Sequence, residues 1–334
     1  MNAKILKPSA QNIALCAEEI QKGGVVAFPT ETVYGLGANV YDPLAIDRIF
    51  EVKGRPADNP LIVHVSSFWQ IKNLTHSLPE KAVALAEKFM PGALTLVLNK
   101  AENVPDKVTA GLSTVAVRMP SNKIALQLIE KSGVPVAAPS ANRSGTPSPT
   151  SAKHVFSDLK NKIPYILNGG QCRIGIESTV LDLSGEKPLI LRTGAVSCED
   201  IVGVIGAVGV AAGSSGAPAS PGMKYRHYAP KAPLYFSAYY NAMQQSICAF
   251  YDDAQAQGKN PVILCLTTNQ PLYGARQTIP MGDCFNAYAH KLYAALRSAD
   301  AQKHQTIIAE GVPSEGVGAA IIDRLIKACG GNIL

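Results

Sequence analysis

The chain has 334 residues, a formal net charge of +6, 47% hydrophobic and 17% charged residues. That balance excludes a disordered or low-complexity protein and leaves room for two domains, each with its own core. No apolar run reaches the roughly 18 residues of a membrane span, and the N-terminal Met-Asn-Ala-Lys-Ile lacks a signal-peptide core, so a cytoplasmic protein with no membrane partner is expected. The positive excess divides evenly, +3 over residues 1–207 and +3 over the remainder. It permits an anionic substrate, without the basic cluster expected of a dedicated nucleic-acid binder. The seven cysteines are scattered, with no C-x-x-C pair. That pattern suits reduced thiols, not a disulfide framework or a zinc site.

Ser9 is placed to cap a helix whose Ile13, Cys16, Ala17 and Ile20 keep helical spacing, ended by Gly23-Gly24. A short buried strand over 25–28 follows. Polar Thr30, Glu31, Thr32 and Tyr34 fall at its end, and Gly35 and Gly37 suit a sharp turn or close approach to a ligand. Strand ends of α/β sheets are where ligands usually bind. Asp42-Pro43 starts the next helix in cap-then-N1 order, with Ile46, Ile49 and Phe50 on one face. Lys53-Gly-Arg55-Pro then sets two cations two residues apart. Extended backbone would point both to one side, which suits a triphosphate: Arg as a fork, Lys as a point charge.

A second strand over 61–65 contains His64. Ser77-Leu-Pro-Glu80 reads as a capping box for a helix over 83–90, stopped by Pro91-Gly92. Strands follow over 94–98 and 115–118. Arg118 ends the second of these, where a buried arginine needs an anionic partner. Ser121 is placed to cap a helix ending near Gly133, and a strand over 134–138 opens into Pro139-Ser-Ala-Asn-Arg-Ser-Gly-Thr-Pro-Ser-Pro149. Strands over 163–167, 179–183 and 189–191 complete this half. Several strands lie too close together for helical crossovers, so a mixed sheet is expected rather than a parallel one.

Residues 211–222 have the content of a flexible linker. Residues 223–230, Met-Lys-Tyr-Arg-His-Tyr-Ala-Pro, are richer in cations and aromatics than a spacer requires. From 232 onward, strands over 234–236, 262–266 and 306–309 alternate with helices near 239–256, 285–299 and 315–328. This pattern predicts a small Rossmann-like α/β domain without a glycine fingerprint.

The common catalytic signatures are missing. Gly35-Leu-Gly-Ala-Asn-Val40 lacks the third glycine of a dinucleotide loop, and Gly170-Gln-Cys-Arg-Ile-Gly175 is not followed by Lys-Ser/Thr. There is neither H-E-x-x-H nor G-x-S-x-G. What remains is a set of polar residues at strand ends: Lys53, Arg55, His64, Arg118, Ser140, Asn142, Glu177-Ser178-Thr179 and Arg192-Thr-Gly194. Together they suit a nucleotide plus a small zwitterion.

Pro29-Thr-Glu-Thr-Val-Tyr-Gly-Leu36, Lys53-x-Arg55-Pro with Asn59-Pro-Leu, Pro139-Ser-Ala-Asn142-x-Ser-Gly, Glu177-Ser-Thr-Val and Leu191-Arg-x-Gly resemble the threonylcarbamoyl-AMP synthase family. The likeness runs over roughly 5–207. Lys224-Tyr-Arg-His-Tyr-Ala-Pro and the chain beyond it resemble that family's long, two-domain form. The resemblance implies a YrdC-type twisted mixed sheet, with helices forming a concave cavity, over 1–207. A linker over 208–231 and a Rossmann-like domain over 232–334 would follow. It implies a nucleotidyltransferase that converts L-threonine, bicarbonate and ATP, with Mg2+, into threonylcarbamoyl-adenylate and pyrophosphate. The product would pass to the tRNA threonylcarbamoyl-transferase machinery, and a weak RNA contact is possible.

By the same resemblance Thr32, His64, Arg118, Ala138 and Ser178 would hold threonine. Arg55, Asn59, Thr114, Ser140, Ser148, Arg192 and Tyr228 would hold ATP. Lys53, Arg55, Ser140 and Asn142 would form the catalytic K-x-R and S-x-N pairs. A mixed-anhydride product needs protection from water. The linker is therefore expected to close as a lid, with Tyr228 near the nucleotide and Arg226 near its phosphates. A carbamoyl-transfer protein of the hydrogenase-maturation kind would need zinc fingers that the cysteines do not provide. A non-catalytic RNA-binding YrdC-type protein would explain the charge, but not the combination of Lys53, Arg55, Ser140 and Asn142.

Overall fold

Residues 2–211, 227–239 and 242–334 are described in the computed structural model. They divide into two units: Met1–Ser144, Pro149–Arg173 and Glu177–Lys224 form the first, and Gly145–Ser148, Ile174–Ile176 and Tyr225–Leu334 the second.

The first unit begins with β1 (Lys4–Leu6), α1 (Ala10–Gln21), β2 (Val26–Phe28), β3 (Gly35–Asn39), α2 (Pro43–Lys53) and β4 (Ile62–His64). Next come α3 (Phe68–Leu74), α4 (Glu80–Phe89), β5 (Leu94–Asn99), α5 (Asp106–Thr109), β6 (Thr114–Arg118) and α6 (Lys123–Ser132). It ends with β7 (Val136–Ala137), α7 (Ala152–Leu159), β8 (Tyr165–Leu167), β9 (Thr179–Asp182), β10 (Leu189–Arg192), α8 (Cys198–Ile205) and β11 (Gly209–Val210). The eleven strands form one sheet in the order β1-β8-β2-β3-β7-β4-β6-β5-β9-β10-β11. It is mixed, as expected: β4 runs parallel to β6 and β5 to β9, whereas β2–β3, β4–β7 and β5–β6 are antiparallel.

Several helices begin where the sequence says they should. Ser9 Oγ accepts the Asn12 N–H at 3.2 Å, and Ile13, Cys16, Ala17 and Ile20 of α1 are buried. Asp42 accepts the N–H groups of Leu44 and Ala45 ahead of α2, with Pro43 in the first turn. Two caps differ from expectation. Asn122, not Ser121, accepts the N–H groups of Ile124 and Ala125. α4 starts at Glu80 behind Pro79, with no side-chain cap bond, and Ser77 lies outside it.

The glycines of Gly35-Leu-Gly37 form a strand, not a turn. A Cβ on Gly37 would lie 2.7 Å from the Phe28 ring and 2.6 Å from Val136, so only glycine lets that ring lie across β3. The ring thereby reaches His64, edge-on, with centroids 6.1 Å apart. One face of the sheet is covered by α1 and α6 over Val26, Phe28, Val136 and Ala138. A smaller apolar cluster, Ile62, Val97, Ala116, Val180 and Leu191, continues on the strands beyond. Ile62 and His64, and Thr114, Ala116 and Arg118, each share a face by strand alternation.

The second unit contains β12 (Leu234–Phe236), α9 (Met243–Ala256), β13 (Pro261–Cys265), β14 (Thr278–Pro280), α10 (Phe285–Ala301), β15 (Thr306–Ala309) and α11 (Val317–Cys329). Its sheet is parallel throughout, in the order β12-β15-β13-β14, as a Rossmann-like domain requires. Glu310, just past β15, is buried but well served: it accepts the Leu266 N–H, the Asn269 amide and the Tyr273 hydroxyl. Two short segments from earlier in the chain, Gly145–Ser148 and Ile174–Ile176, belong here. Gly145 O accepts the Ala229 N–H at 2.9 Å, and Pro147 O accepts an Arg297 N–H at 2.5 Å. Among the described residues, no helix is long and apolar enough to cross a membrane.

Candidate active site

The parallel pair β4 and β6 sets His64 opposite Arg118 at its C-terminal end. Thr114 starts β6 at the other end, four residues away, which is about 13 Å at strand rise. Asn59 precedes β4 at that same end. Ser140 follows β7, which runs antiparallel to β4, so it too lies there. Ala138 sits between, its N–H donating to Ile62 O at 2.9 Å. The predicted site residues therefore form two groups at opposite ends of the same strands.

At the His64 end, Arg118 Nη2 meets Glu31 Oε1 at 2.8 Å, and its Nε donates to Gly92 O at 3.1 Å. Both side chains are under 5% exposed. β2, which leads to Glu31, lies four places from β6, so the 29–34 loop must cross the sheet face to make this pair. A Thr30 clasp tightens that loop: its hydroxyl donates to Val33 O and accepts the N–H groups of Thr32 and Val33. Burial pushes the Glu31 carboxyl up, but Arg118, helped by the backbone N–H groups of Glu31 and Ser121, outweighs it and holds the pKa below its usual value.

Burial and the nearby Arg118 charge push the His64 imidazole down to about 3, so it is neutral at physiological pH. Its Nδ1 lies 3.2 Å from Ile62 O. The unfolded chain protonates this histidine near 6.5 and the folded chain does not, so protons favour unfolding in the window between. Stability should fall as pH drops through 6.5 toward 3, by about 3 kcal/mol at pH 4 from this residue. Glu31 adds to the loss below its unfolded value. His64→Gln should flatten the profile, as urea midpoints between pH 7 and pH 4 would show.

Ser178 and Arg192 lie at this same end, just before β9 and at the end of β10. Arg192 donates to Ser178 O at 2.9 Å and to Ser178 Oγ at 3.1 Å, and Thr95 Oγ1 is 2.8 Å from Ser178 Oγ. Arg192 is thus grouped with Ser178 and not with Asn59, Thr114 and Ser140.

At the opposite end, the backbone from Lys53 to Arg55 is not extended. α2 runs through Lys53 and stops at Gly54, which is left-handed (φ 61°, ψ 41°). Past this ending the two cations take different acceptors. Lys53 Nζ donates to Ser140 O, and to Asn142 O at 2.7 Å. Ser140 Oγ donates to Asn142 Oδ1 at 2.5 Å. Lys53, Ser140 and Asn142 are therefore one hydrogen-bonded cluster, with Lys53 and Asn142 buried and Ser140 half-buried. Burial, with Arg55 adding to it, holds the Lys53 amine well below its usual pKa. Arg55 is half-buried and donates to the carbonyls of Asn59 and Pro60 at 3.2 and 3.4 Å. Asn59 is buried, and neither polar atom of its amide has a hydrogen-bond partner among the described residues.

Ser148 and Tyr228 fall in the second unit. There the Tyr228 ring lies 5.3 Å from Tyr293 and 5.5 Å from the Arg324 guanidinium, and is 6% exposed. Arg226 and most of the expected lid lie outside the described residues. Two participants went unassigned in the sequence reading. Glu31 is the anionic partner that Arg118 demanded, and it lies inside the conspicuous 29–36 motif. Thr95 is a lone hydroxyl in an apolar strand, and only its contact with Ser178 identifies it. Among the described residues, no group of three or more His, Cys, Asp or Glu could hold a metal ion.

Fold and site define a YrdC-type α/β domain with a buried ion pair on its sheet face, carried in one chain with a smaller parallel-sheet domain. The family described as "Telomere recombination" matches residues 18–194, and "Threonylcarbamoyl-AMP synthase, C-terminal domain" matches 196–330. A threonylcarbamoyl-AMP synthase from Pyrococcus abyssi is 47% identical over 96% of this chain and 95% of its own. One from Bacillus subtilis is 46% identical over 98% of this chain and 96% of its own. The crystal structure of P. abyssi Sua5 complexed with L-threonine superposes with a TM-score of 0.95, at 45% identity and 99% coverage of both chains. The chain belongs to the threonylcarbamoyl-AMP synthase family, in its two-domain form.

Proposed function

We propose that the chain is a nucleotidyltransferase, joining L-threonine, bicarbonate and ATP into L-threonylcarbamoyladenylate with release of pyrophosphate. Its high likeness to named threonylcarbamoyl-AMP synthases supports this reading, as does the L-threonine in the P. abyssi relative's structure. The observation that carries it is the two-ended sheet face. A charged, buried group at His64 and Arg118 suits an amino acid, and Asn59, Thr114 and Ser140 about 13 Å along suit a nucleotide.

In this reading Arg118 takes the threonine carboxylate, with Thr32, Ser178 and the neutral His64 around it and Ala138 beneath. Carboxylation of the amine gives an N-carboxy-threonine, whose new carboxylate attacks the α-phosphate. Two anions must meet, so Arg55 and Arg192 offset the charge, while Lys53 fixes the Ser140–Asn142 loop that bears on the nucleotide. Mg2+ would arrive on the ATP phosphates, as this ion commonly does, and not in a protein cage. No nucleophilic side chain is required, and positioning supplies much of the rate. The product would serve tRNA threonylcarbamoylation in the cytoplasm.

The full-length protein with ATP, threonine and labelled bicarbonate should release pyrophosphate in a threonine-dependent reaction and carry label into a nucleotide adduct. Serine should turn over poorly and valine worse, because a site that bonds the hydroxyl rejects its absence. Pyrophosphate release indifferent to threonine would overturn the proposal.

A further inference from the structure

Glu31 binds one oxygen to Arg118 and leaves the other, Oε2, buried; the Glu31 and Ser121 N–H groups lie near enough to favour the charged carboxylate, but no donor among the described residues makes a hydrogen bond to Oε2. A buried carboxylate oxygen with nothing to accept is costly, and such atoms are rare unless a ligand completes them. The side chain reaches this position only because the 29–34 loop crosses the sheet face. It stands beside Thr32, which is fully buried with its hydroxyl 2.8 Å from that of Thr30. A zwitterionic amino acid presents one anion and one cation a short distance apart. The Arg118–Glu31 pair presents the reverse, and His64 beside it is neutral and adds no charge.

We infer that Glu31 is the residue that receives the α-ammonium group of the amino-acid substrate, through Oε2, while Arg118 receives its carboxylate. This rests on the proposed function only for the identity of the amino acid. It makes the site a reader of free α-amino acids: an N-acylated or amine-free analogue leaves the buried Glu31 oxygen unanswered. Glu31 holds the amine in place beside the incoming carbon. Its charge is already engaged by Arg118, so it positions the amine rather than serving as a strong base.

The test is calorimetric binding of L-threonine and of amine-free 3-hydroxybutyrate to full-length wild type, Glu31→Gln and Glu31→Asp, with thermal melts to confirm folding. Wild type should bind threonine at least tenfold more tightly than 3-hydroxybutyrate. Glu31→Gln should lose threonine affinity by at least thirtyfold and hydroxybutyrate affinity by less than threefold. Glu31→Asp keeps the charge and should recover part of the difference. Equal losses for both ligands in Glu31→Gln would show that Glu31 merely holds Arg118, and would overturn the inference. If Glu31→Gln fails to fold, wild type alone decides, because equal affinity for the two ligands overturns the inference as well. A selective loss of threonine binding in a protein whose wild type releases no threonine-dependent pyrophosphate would support the ammonium site while overturning the proposed reaction. Absence of threonine binding by wild type would overturn both.

Discussion

Arg118→Gln should lower kcat/KM for threonine by well over a hundredfold, chiefly through KM, and should destabilise the fold by about 3–5 kcal/mol. The stability loss arises because Glu31 stays behind, buried and without its counterion. The Glu31 contribution to the pH dependence should then invert, beneath the fall that buried His64 still imposes below pH 6.5. In wild type the paired Glu31 titrates below its unfolded value, so it contributes stability above that value and loses it as pH falls. Without Arg118, burial would raise the Glu31 pKa above the unfolded value. Its penalty would then be absent at low pH and grow as pH rises toward 7. The double variant Glu31→Gln/Arg118→Gln should regain much of the stability and none of the threonine binding, since removing both charges leaves no orphan. Urea unfolding from pH 4 to pH 7, beside threonine titrations, measures each effect. An unchanged threonine KM in folded Arg118→Gln would remove the arginine from the site.

Lys53→Ala should cost both turnover and stability. The ammonium is the donor for Ser140 O and Asn142 O, and its loss strands one buried and one half-buried carbonyl, at about 2–4 kcal/mol. The loop bearing Ser140 and Asn142 would then be unfixed, and pyrophosphate release should fall at least a hundredfold. Arg55→Ala should behave differently. Its bonds go to two neighbouring carbonyls and it is only half-buried, so turnover should drop with little change in melting temperature. Fully stable Lys53→Ala with lost activity would show that the ammonium serves the ligand directly and does not hold the loop.

That contrast shows where sequence reasoning reached and where it stopped. Lys53 and Arg55 were legible as a functional pair from residue type and spacing. The separate partners they take were not, because a single left-handed glycine between them ends α2, and nothing in the K-x-R motif states whether the backbone is helical or extended there. The mixed sheet was legible because apolar runs separated by a few residues leave no room for crossovers. β3 was not, because its glycines are explained by the Phe28 ring, a contact from a different strand. Arg118's need for an anion could be read from its strand, yet the partner lies 87 residues earlier in the chain. The parallel domain was read almost whole from its simple alternation. Only β14, a three-residue strand after a 3-10 turn, was missed.

Because residues 145–148 and 174–176 belong with the second unit, the boundary between the units does not fall at a single point of the chain. A gene cut anywhere between residue 208 and 231 would sever the polypeptide at one point and part three pieces of one folded body. The shorter half would then lack the segment whose carbonyls engage Ala229 and Arg297. A chimera that grafts this C-terminal region onto a single-domain relative would need to carry both loops with it. Recombination within such a lineage should therefore preserve hybrids that exchange the loops together with the distal region, and discard those that exchange either alone.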